Sequence, residues 1–233
     1  MPDSETKASL HLHLLREVAA GLGLSLSPRQ MQQLAIHFAL LLQWNEKMSL
    51  TSLRRPEQVA TRHFEESLFL AAVLPLERLP AQGLLVDVGS GAGFPGLPLK
   101  VAWPQLPAIL LEPNRKKAAF LKEVIRQSGL RNVTVRTERL AEAQRPDQET
   151  GQCLAGRAAL ATMRAVGLTN DLLADLLQLL APSGRVALFL GEKDAERLSA
   201  TAAFAWGQPL AIPHSERRVL LIGRATAAPT ATP

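Results

Sequence analysis

The sequence of 233 residues predicts an α/β protein, in which a mostly parallel sheet carries helices on both faces and a helical extension precedes it. From residue 84 onwards, short apolar runs alternate with segments of helical periodicity, which is typical of strands joined by crossover helices. Residues 1–80 contain only helical patterns. A glycine-rich stretch directly after the first apolar run indicates a sharp turn between a buried strand and a helix.

The extension is predicted to contain three helices joined by short polar connections. Ser27-Pro28 is typical of the start of the second helix. We expect a helical domain over residues 1–80, a second domain over 81–224, and a disordered tail over 225–233, where alanine, threonine and proline predominate. The predicted helices of the extension span Lys7–Leu22, Arg29–Trp44 and Glu57–Leu74.

The second domain is predicted to contain seven strands, each an apolar run bounded by turn residues. A short turn separates the last two strands, so we expect them to pair antiparallel. The predicted strands are Leu84–Val88, Ala108–Glu112, Asn132–Arg136, Ala159–Arg164, Arg185–Leu190, Gln208–Ile212 and Arg217–Gly223. The predicted helices of this domain are Gly96–Trp103, Arg115–Gly129, Asn170–Leu180 and Lys193–Ala203.

Composition narrows the possible classes of function. The formal net charge of +5 suits a polyanionic partner, but it is equally consistent with a mildly basic protein that has none. Aromatic residues make up 4% of the chain, so capture of single strands by many stacked rings is not expected. Cys153 is the only cysteine, and no apolar run reaches the roughly 18 residues of a membrane span. We therefore expect a cytoplasmic protein without disulfide, metal site or membrane segment. Nothing in the sequence demands an assembly, so we expect a monomer.

The glycine-rich turn within Leu84–Gly96, LLVDVGSGAGFPG, fits two cofactors. The spacing Gly91-x-Gly93-x-x-Gly96 matches the dinucleotide fingerprint, in which a helix N-terminus binds pyrophosphate. The spacing Asp87-x-Gly89-x-Gly91-x-Gly93 matches the turn of S-adenosylmethionine (SAM) methyltransferases. A connection that binds no ligand is the third interpretation, and the density of glycine and proline disfavours it.

Two details favour SAM over a dinucleotide. Pro95 and Pro98 occupy the first helical turn, where proline has no N–H to offer a pyrophosphate. Asp87 places negative charge at the strand end, which disfavours pyrophosphate but suits the ammonium and sulfonium groups of SAM.

A second acid, Glu112, ends the second predicted strand. An acid about twenty residues past the turn binds the ribose hydroxyls in nucleoside-binding folds. Both cofactors contain ribose, so Glu112 predicts a nucleoside site without choosing between them. A charge at a helix N-terminus is the alternative interpretation of Glu112.

Several stretches together resemble one family, and they follow one another in the right order from Trp44 to Arg218. They are Trp44–Thr51 (WNEKMSLT), His63–Leu68 (HFEESL), Asp87–Pro98 (DVGSGAGFPGLP), Lys116–Leu121 (KKAAFL), Arg164-Ala165 and Glu216–Arg218. These stretches resemble the bacterial glucose-inhibited division protein B group, the small-subunit ribosomal RNA guanine-N7 methyltransferases.

The resemblance implies a Rossmann-like class I SAM methyltransferase with a mostly parallel seven-stranded sheet and an N-terminal helical extension. It implies SAM as methyl donor and one guanine of 16S ribosomal RNA, free or in the small ribosomal subunit, as acceptor. It makes Gly89 and Phe94 cofactor contacts, places Leu140 and Ala141 beside the adenine, and places Arg164 beside the cofactor. Together with the turn and the two acids, the predicted cofactor site comprises Asp87, Gly89, Gly91, Gly93, Phe94, Glu112, Leu140, Ala141 and Arg164.

The chain departs from the family pattern in three places. The family often has glutamate where Ala141 stands, so only backbone could serve there. It often has Asp-Ser where this chain has Glu112-Pro113, and it commonly has a lysine at the position of Leu190. Two alternatives stay open. A fold alone does not specify a substrate, so a SAM methyltransferase with another substrate is one of them. The departures at Ala141 and Leu190 keep open the other, a nucleotide- or RNA-binding module without catalysis.

Methylation of guanine N7 requires no general base, because that nitrogen carries a lone pair in the neutral base. Positioning the base and excluding water would suffice. We hypothesise that Arg164 pairs with the SAM carboxylate or orients the guanine; a salt-bridged residue at a strand end is the alternative. We expect His63 to be a hydrogen-bonding residue at the edge of the core. Three basic clusters are candidates for RNA contact: Arg54-Arg55, Arg115–Lys117 and Arg217-Arg218.

Overall fold

A computed structural model describes residues 4–146, 153–164, 167 and 169–225 of the chain. The predicted tail lies outside these residues except for Ala225, which belongs to the last strand instead. Ala165, part of one family-like stretch, also lies outside them. Among the helices in these ranges, none is both long and apolar enough to cross a membrane.

The first two helices of the extension form where they were predicted. Helix α1 spans Ser4–Gly21 and helix α2 spans Pro28–Asn45. Helix α2 begins with two reciprocal hydrogen bonds. The Gln30 side chain accepts from the Ser27 N–H at 2.9 Å, and the Ser27 hydroxyl accepts from the Gln30 N–H at 3.3 Å. This arrangement satisfies N–H groups that have no partner within the helix.

The third predicted helix is continuous but irregular. It consists of α3 (Pro56–Val59), a π-helical segment (Ala60–Glu65) and α4 (Glu66–Val73). A π-helical turn inserts an extra residue per turn and is frequent at functional sites. In this chain the π segment carries Arg62 and His63, whose side chains reach the site described below.

The sheet follows the extension and differs from the prediction by one strand. Its strands are β1 (Leu84–Val88), β2 (Ala108–Leu111), β3 (Val133–Arg136), β4 (Ala158–Arg164), β5 (Leu180–Gly191), β6 (Phe204–Trp206), β7 (Leu210–Ala211) and β8 (Arg218–Ala225). The described residues thus form eight strands where seven were predicted. Strand β6 is the additional one; its three residues are too few to show an alternating pattern.

The strand order is β3-β2-β1-β4-β5-β8-β6, with β7 paired to β8. Strands β1 to β5 are parallel, and β8 pairs antiparallel with β5, β6 and β7. The order reverses at β1, which lies between β2 and β4. In open α/β sheets, ligands bind outside the carboxyl ends of the strands at such a reversal point.

The α-helices that follow β1 in the chain are α5 (Gly96–Ala102), α6 (Arg115–Ser128), α7 (Leu140–Ala143), α8 (Asn170–Leu179) and α9 (Glu192–Ser199). Helix α7 is a single turn that was not predicted. Helix α9 ends four residues before the predicted end at Ala203, because the chain then turns into β6.

The helical extension and the segments around the sheet contribute to one hydrophobic cluster. Phe38 and Phe64 of the extension and Phe120 of α6 have no exposed surface, and Phe94 of the glycine turn is 3% exposed. The ring centroids of Phe64 lie 5.0 Å from Phe38 and 5.1 Å from Phe94. Edge-to-face and stacked rings at these distances add to the stabilisation from burial. The extension therefore packs directly against the glycine turn that was predicted to bind the cofactor.

Candidate active site

The turn after β1 is built from glycines in the left-handed conformation. Gly89, Gly91 and Gly93 have φ angles of 69°, 57° and 89°. The N–H groups of Gly89 and Ser90 donate to the carbonyl oxygen of Leu111 at 2.9 and 3.0 Å, which ties the turn to the end of β2. Other residues rarely adopt such φ angles, so the spacing of the three glycines reflects a backbone requirement.

Asp87 holds this turn from inside the protein. Its Oδ1 accepts from the Thr162 hydroxyl at 2.7 Å, and its Oδ2 accepts from the Gly96 N–H at 3.2 Å. A Cβ at Gly96 would lie 2.7 Å from that same Oδ2, so only glycine permits this approach. Asp87 is fully buried, and burial raises the pKa of its carboxyl. Its predicted contact with the cofactor stays a prediction.

The N-terminus of α5 is not built to bind a pyrophosphate. The Gly96 N–H is donated to Asp87, and the Leu97 N–H is donated to the Gly93 carbonyl at 2.8 Å. Pro98 has no N–H, as the sequence indicated. A dinucleotide loop needs these groups free to face phosphate. In the described structure the N–H groups of Gly96 and Leu97 already have acceptors and Pro98 has none to donate, which favours SAM over the dinucleotide.

Glu112 lies beside the same turn. Its Oε2 accepts from the Gly91 N–H and its Oε1 accepts from the Asn114 N–H, both at 2.8 Å. The carboxylate thus adjoins the turn and also the start of α6, so both interpretations of this acid have a structural counterpart. Each oxygen keeps a second lone pair that can accept from a ribose hydroxyl.

Phe94 connects the turn to two histidines of the extension. Its ring stacks on His37 and on His63, with centroid separations of 4.6 Å in both pairs. His37 is buried, and its Nε2 donates to the Ala92 carbonyl at 2.8 Å. Burial lowers the pKa of His37 to about 4, so the ring is neutral at neutral pH. Sequence reasoning missed His37; a histidine on the apolar face of α2 was the available signal.

His63 is held in one tautomer by its neighbours. Its Nδ1 lies 2.8 Å from Nη2 of Arg164, and its Nε2 lies 2.8 Å from the Thr51 hydroxyl. Arginine only donates, so Nδ1 accepts and the proton resides on Nε2. Burial, with the Arg164 charge as a second cause, lowers the pKa of His63 to about 3. His63 is thus a neutral hydrogen-bonding residue with both nitrogens in use, as expected at the core edge.

Arg164 ends β4 and is nearly buried. It donates to the Arg62 carbonyl at 2.9 Å and to His63, and its Nη1 lies 3.4 Å from Oε2 of Glu66. Its guanidinium carbon lies 5.3 Å from the centroid of the Phe94 ring. The structure therefore places Arg164 next to the glycine turn and also in a salt bridge. Sequence reasoning missed Glu66, although a charged residue on an apolar helical face was visible.

The remaining predicted positions differ in exposure. Leu140 is buried in the core cluster that also includes Val88 and Leu111. Ala141 is exposed. Leu190 is buried in the same cluster as Leu140 and offers no charge where the family commonly has lysine. The contacts of Leu140 and Ala141 with adenine stay predictions.

The first two basic clusters differ in their local hydrogen bonds. Arg54 and Arg55 are exposed, and Arg54 donates to the Asn45 carbonyl at 3.1 Å. The side chain of Asn114 accepts from the N–H groups of Lys116 and Lys117, which explains how a helix can begin with cations. A groove of about 500 Å³ between α2 and α6 is lined by Trp44, Lys47, Lys116 and others. Within the described part of the chain, no group of three or more His, Cys, Asp or Glu side chains is arranged to hold a metal ion.

Two solved structures illustrate which known proteins share this fold. A methyltransferase from Geobacter sulfurreducens superposes with a TM-score of 0.55 at 17% identity, over 82% of this chain and 88% of that one. TYW2 of P. horikoshii, crystallised with MeSAdo, superposes with a TM-score of 0.53 at 16% identity, over 71% and 63%. At these identities the likeness concerns the fold alone. The chain has the Rossmann-like fold of class I SAM methyltransferases.

Sequence relatives narrow the class to one family. The family model "rRNA small subunit methyltransferase G" (GidB) matches residues 30–223. A ribosomal RNA small subunit methyltransferase G from Sorangium cellulosum is 39% identical over 78% of this chain and 73% of its own length. The corresponding protein of Roseiflexus castenholzii is 38% identical over 89% and 88%. The chain belongs to the GidB family of small-subunit rRNA methyltransferases, and the resemblance found in the sequence is confirmed.

Proposed function

We propose that the protein transfers a methyl group from SAM to N7 of a guanine in 16S ribosomal RNA. The observation that carries this proposal is the family match over residues 30–223, which includes the glycine turn, His63, Glu112 and Arg164. The acceptor is the RNA itself or the small ribosomal subunit. We further propose that the protein acts as a monomer in the cytoplasm, without a metal ion.

The residues of the turn fit SAM. A Cβ at Gly91 would meet nothing closer than 3.8 Å, so the space beside its Cα is open to a ligand. Glu112 adjoins that space and can accept from the ribose hydroxyls. Leu140 and the Ala141 backbone would flank the adenine, and Arg164 would lie near the amino-acid end. SAM bears no phosphate, so the lack of free N–H groups at α5 does not disfavour it.

When bound, SAM supplies an electrophilic methyl group on a sulfonium. The protein has to hold the guanine N7 lone pair in line with that methyl and exclude water. No residue has to remove a proton, because N7 is unprotonated in the neutral base. His63 supports this view, since both of its nitrogens already have partners. Attack removes the sulfonium charge and leaves the purine cationic, so a cation touching N7 would oppose the reaction.

The test is methyl transfer from tritiated SAM to purified 16S ribosomal RNA, small subunits and transfer RNA. Borohydride reduction followed by aniline cleaves RNA at 7-methylguanosine, which identifies both the atom and the nucleotide. We expect incorporation and cleavage at one guanine of the 16S RNA. Incorporation into transfer RNA alone, or label that resists cleavage, would contradict the proposal. Calorimetry with SAM, NAD and NADP tests the cofactor separately, and binding of NAD in place of SAM would also contradict it.

A further inference from the structure

One buried carboxylate, Glu66, has arginine partners from three separate segments. Its Oε1 lies 3.4 Å from Nε of Arg62 in the π segment. Its Oε2 lies 3.4 Å from Nη1 of Arg164 at the end of β4 and 3.3 Å from Nη2 of Arg218 at the start of β8. The side chain of Glu66 has no exposed surface. We call Arg62, Arg164 and Arg218 with Glu66 the arginine cluster.

The arginine cluster carries more positive than negative charge. One glutamate can neutralise only one of the arginines. Asp87 is the next carboxylate that acts on Arg164, and even when it is counted the three arginines exceed the two carboxylates. Glu65, the neighbour of Glu66, pairs with His214 at 2.9 Å instead. Burial lowers the pKa of Arg164 only to about 10, so this arginine is charged at neutral pH.

The arginines differ in what they can still bind. Arg164 is 11% exposed, and its donors go to the Arg62 carbonyl, His63 and Glu66. The side chains of Arg62 and Arg218 are 40% and 27% exposed. Among the described residues, Arg218 uses one nitrogen in the ion pair, and Arg62 adds only a 3.5 Å contact with the Ser215 hydroxyl. Both therefore present guanidinium N–H groups to solvent from a fixed position.

The cluster and Glu112 lie on opposite sides of the point where the strand order reverses. Glu112 and the glycine turn lie at the ends of β1 and β2, on one side of the reversal point. In the sheet register, Arg164 is opposite Phe189 and Arg218 is opposite Gly191, so both lie at the carboxyl end of β5, on the other side. The contact between Arg164 and Phe94 joins the cluster to the turn.

We propose that Arg62 and Arg218 bind a backbone phosphate of the RNA substrate next to the methylated nucleotide. Glu66 holds both guanidinium groups in place, and Arg164 holds the backbone of Arg62. The proposal rests on the proposed function for the identity of the RNA. A guanidinium presents a planar fork of donors that matches two phosphate oxygens. An arriving phosphate also compensates the excess charge of the cluster. The guanine N7 is not contacted by these cations, as its nucleophilic role requires.

The experiment compares Arg62→Gln and Arg218→Gln with a matched control, Arg197→Gln. Arg197 is an exposed arginine on α9 that also pairs with an acid, Asp194, so its loss changes the net charge equally. Binding of a 16S RNA fragment is measured over a series of salt concentrations, and SAM affinity is measured by calorimetry. We expect each cluster variant to bind RNA about tenfold more weakly. The salt slope, which is the steepness with which the logarithm of the RNA association constant falls with the logarithm of salt concentration, should decrease by about 0.7, the value for one lost contact to a single-stranded phosphate. SAM affinity should stay within about twofold of the wild type.

A further variant, Arg218→Lys, distinguishes the loss of positive charge from other structural effects of substituting Arg218. It keeps the cation, so its salt slope should match the wild type even if its affinity is lower. Salt slopes of both glutamine variants equal to that of Arg197→Gln would overturn the proposal. A loss of SAM affinity with an unchanged salt slope would also overturn it, because the cluster would then serve the cofactor carboxylate. If the wild type itself neither binds nor methylates the RNA, the proposed function fails; if it does both and only the slopes are unchanged, this inference alone fails.

Discussion

Gly91 and Gly129 form a matched pair that tests where the cofactor binds. Both have left-handed φ angles, 57° and 63°. A Cβ would meet nothing closer than 3.8 Å at Gly91 and nothing within 4 Å at Gly129, so neither alanine creates a clash within the protein. Each alanine incurs backbone strain of about 1 kcal/mol. We expect both variants to lose that much free energy of unfolding, or about 2–4 °C in Tm for a chain of this size.

Only Gly91→Ala should also affect the ligand. Its methyl group would project into the space beside Gly91 that we assign to SAM, whereas Gly129 lies at the end of α6. We expect about tenfold weaker SAM binding for Gly91→Ala, equal to about 1.4 kcal/mol, and unchanged binding for Gly129→Ala. Titration calorimetry with SAM and thermal unfolding with and without SAM measure both effects. Equal SAM affinity in the two variants would refute the placement of the cofactor over the turn.

Three further predictions concern the neighbours of the turn. Glu112→Ala leaves the Gly91 and Asn114 N–H groups without their acceptor, so it should lower the free energy of unfolding by about 2 kcal/mol. It should also weaken SAM binding about tenfold, and unaltered SAM binding in calorimetry would argue against the ribose contact. His63 takes up a proton below pH 6.5 in the unfolded chain, but only near pH 3 in the folded protein. Its contribution to the free energy of unfolding is therefore complete above pH 6.5 and is lost as pH falls towards 3, by about 1.4 kcal/mol per pH unit. Urea unfolding of His63→Gln should show a correspondingly shallower loss of stability at low pH, and identical pH curves for the variant and the wild type would contradict the low pKa of His63. Arg164→Ala should reduce methyl transfer at least tenfold in the tritium assay, and wild-type activity together with wild-type SAM affinity would remove Arg164 from the site.

Local signals in the sequence predicted the parts of the site that lie close together along the chain. The run from Asp87 to Gly96 specified the turn, because glycine spacing and proline positions act on backbone conformation directly. The predicted α6 agrees with the structure to within one residue, since its apolar residues recur at helical spacing and Gly129 ends it. The order of family-like stretches identified the family.

Contacts between distant segments were not predictable in the same way. Nothing local to Glu66 shows that Arg164 and Arg218, from β4 and β8, converge on it. Likewise, the stacking of His37 on Phe94 depends on how the extension packs against the sheet domain. Strand β6 was missed because its pairing with β8, and not its own short pattern, makes it a strand.

The amino-acid sequence by itself determined the fold class, the left-handed turn after β1 and the family, because backbone preferences and apolar periodicity are properties of neighbouring residues. Tertiary structure decided that the N–H groups of α5 are unavailable to phosphate, that His63 is neutral, and that Glu66 gathers three arginines beside the turn. Those properties arise from burial and from contacts between residues up to about 150 positions apart, such as Glu66 and Arg218. Burial changes pKa values and hydrogen-bond partners only once such segments have come together.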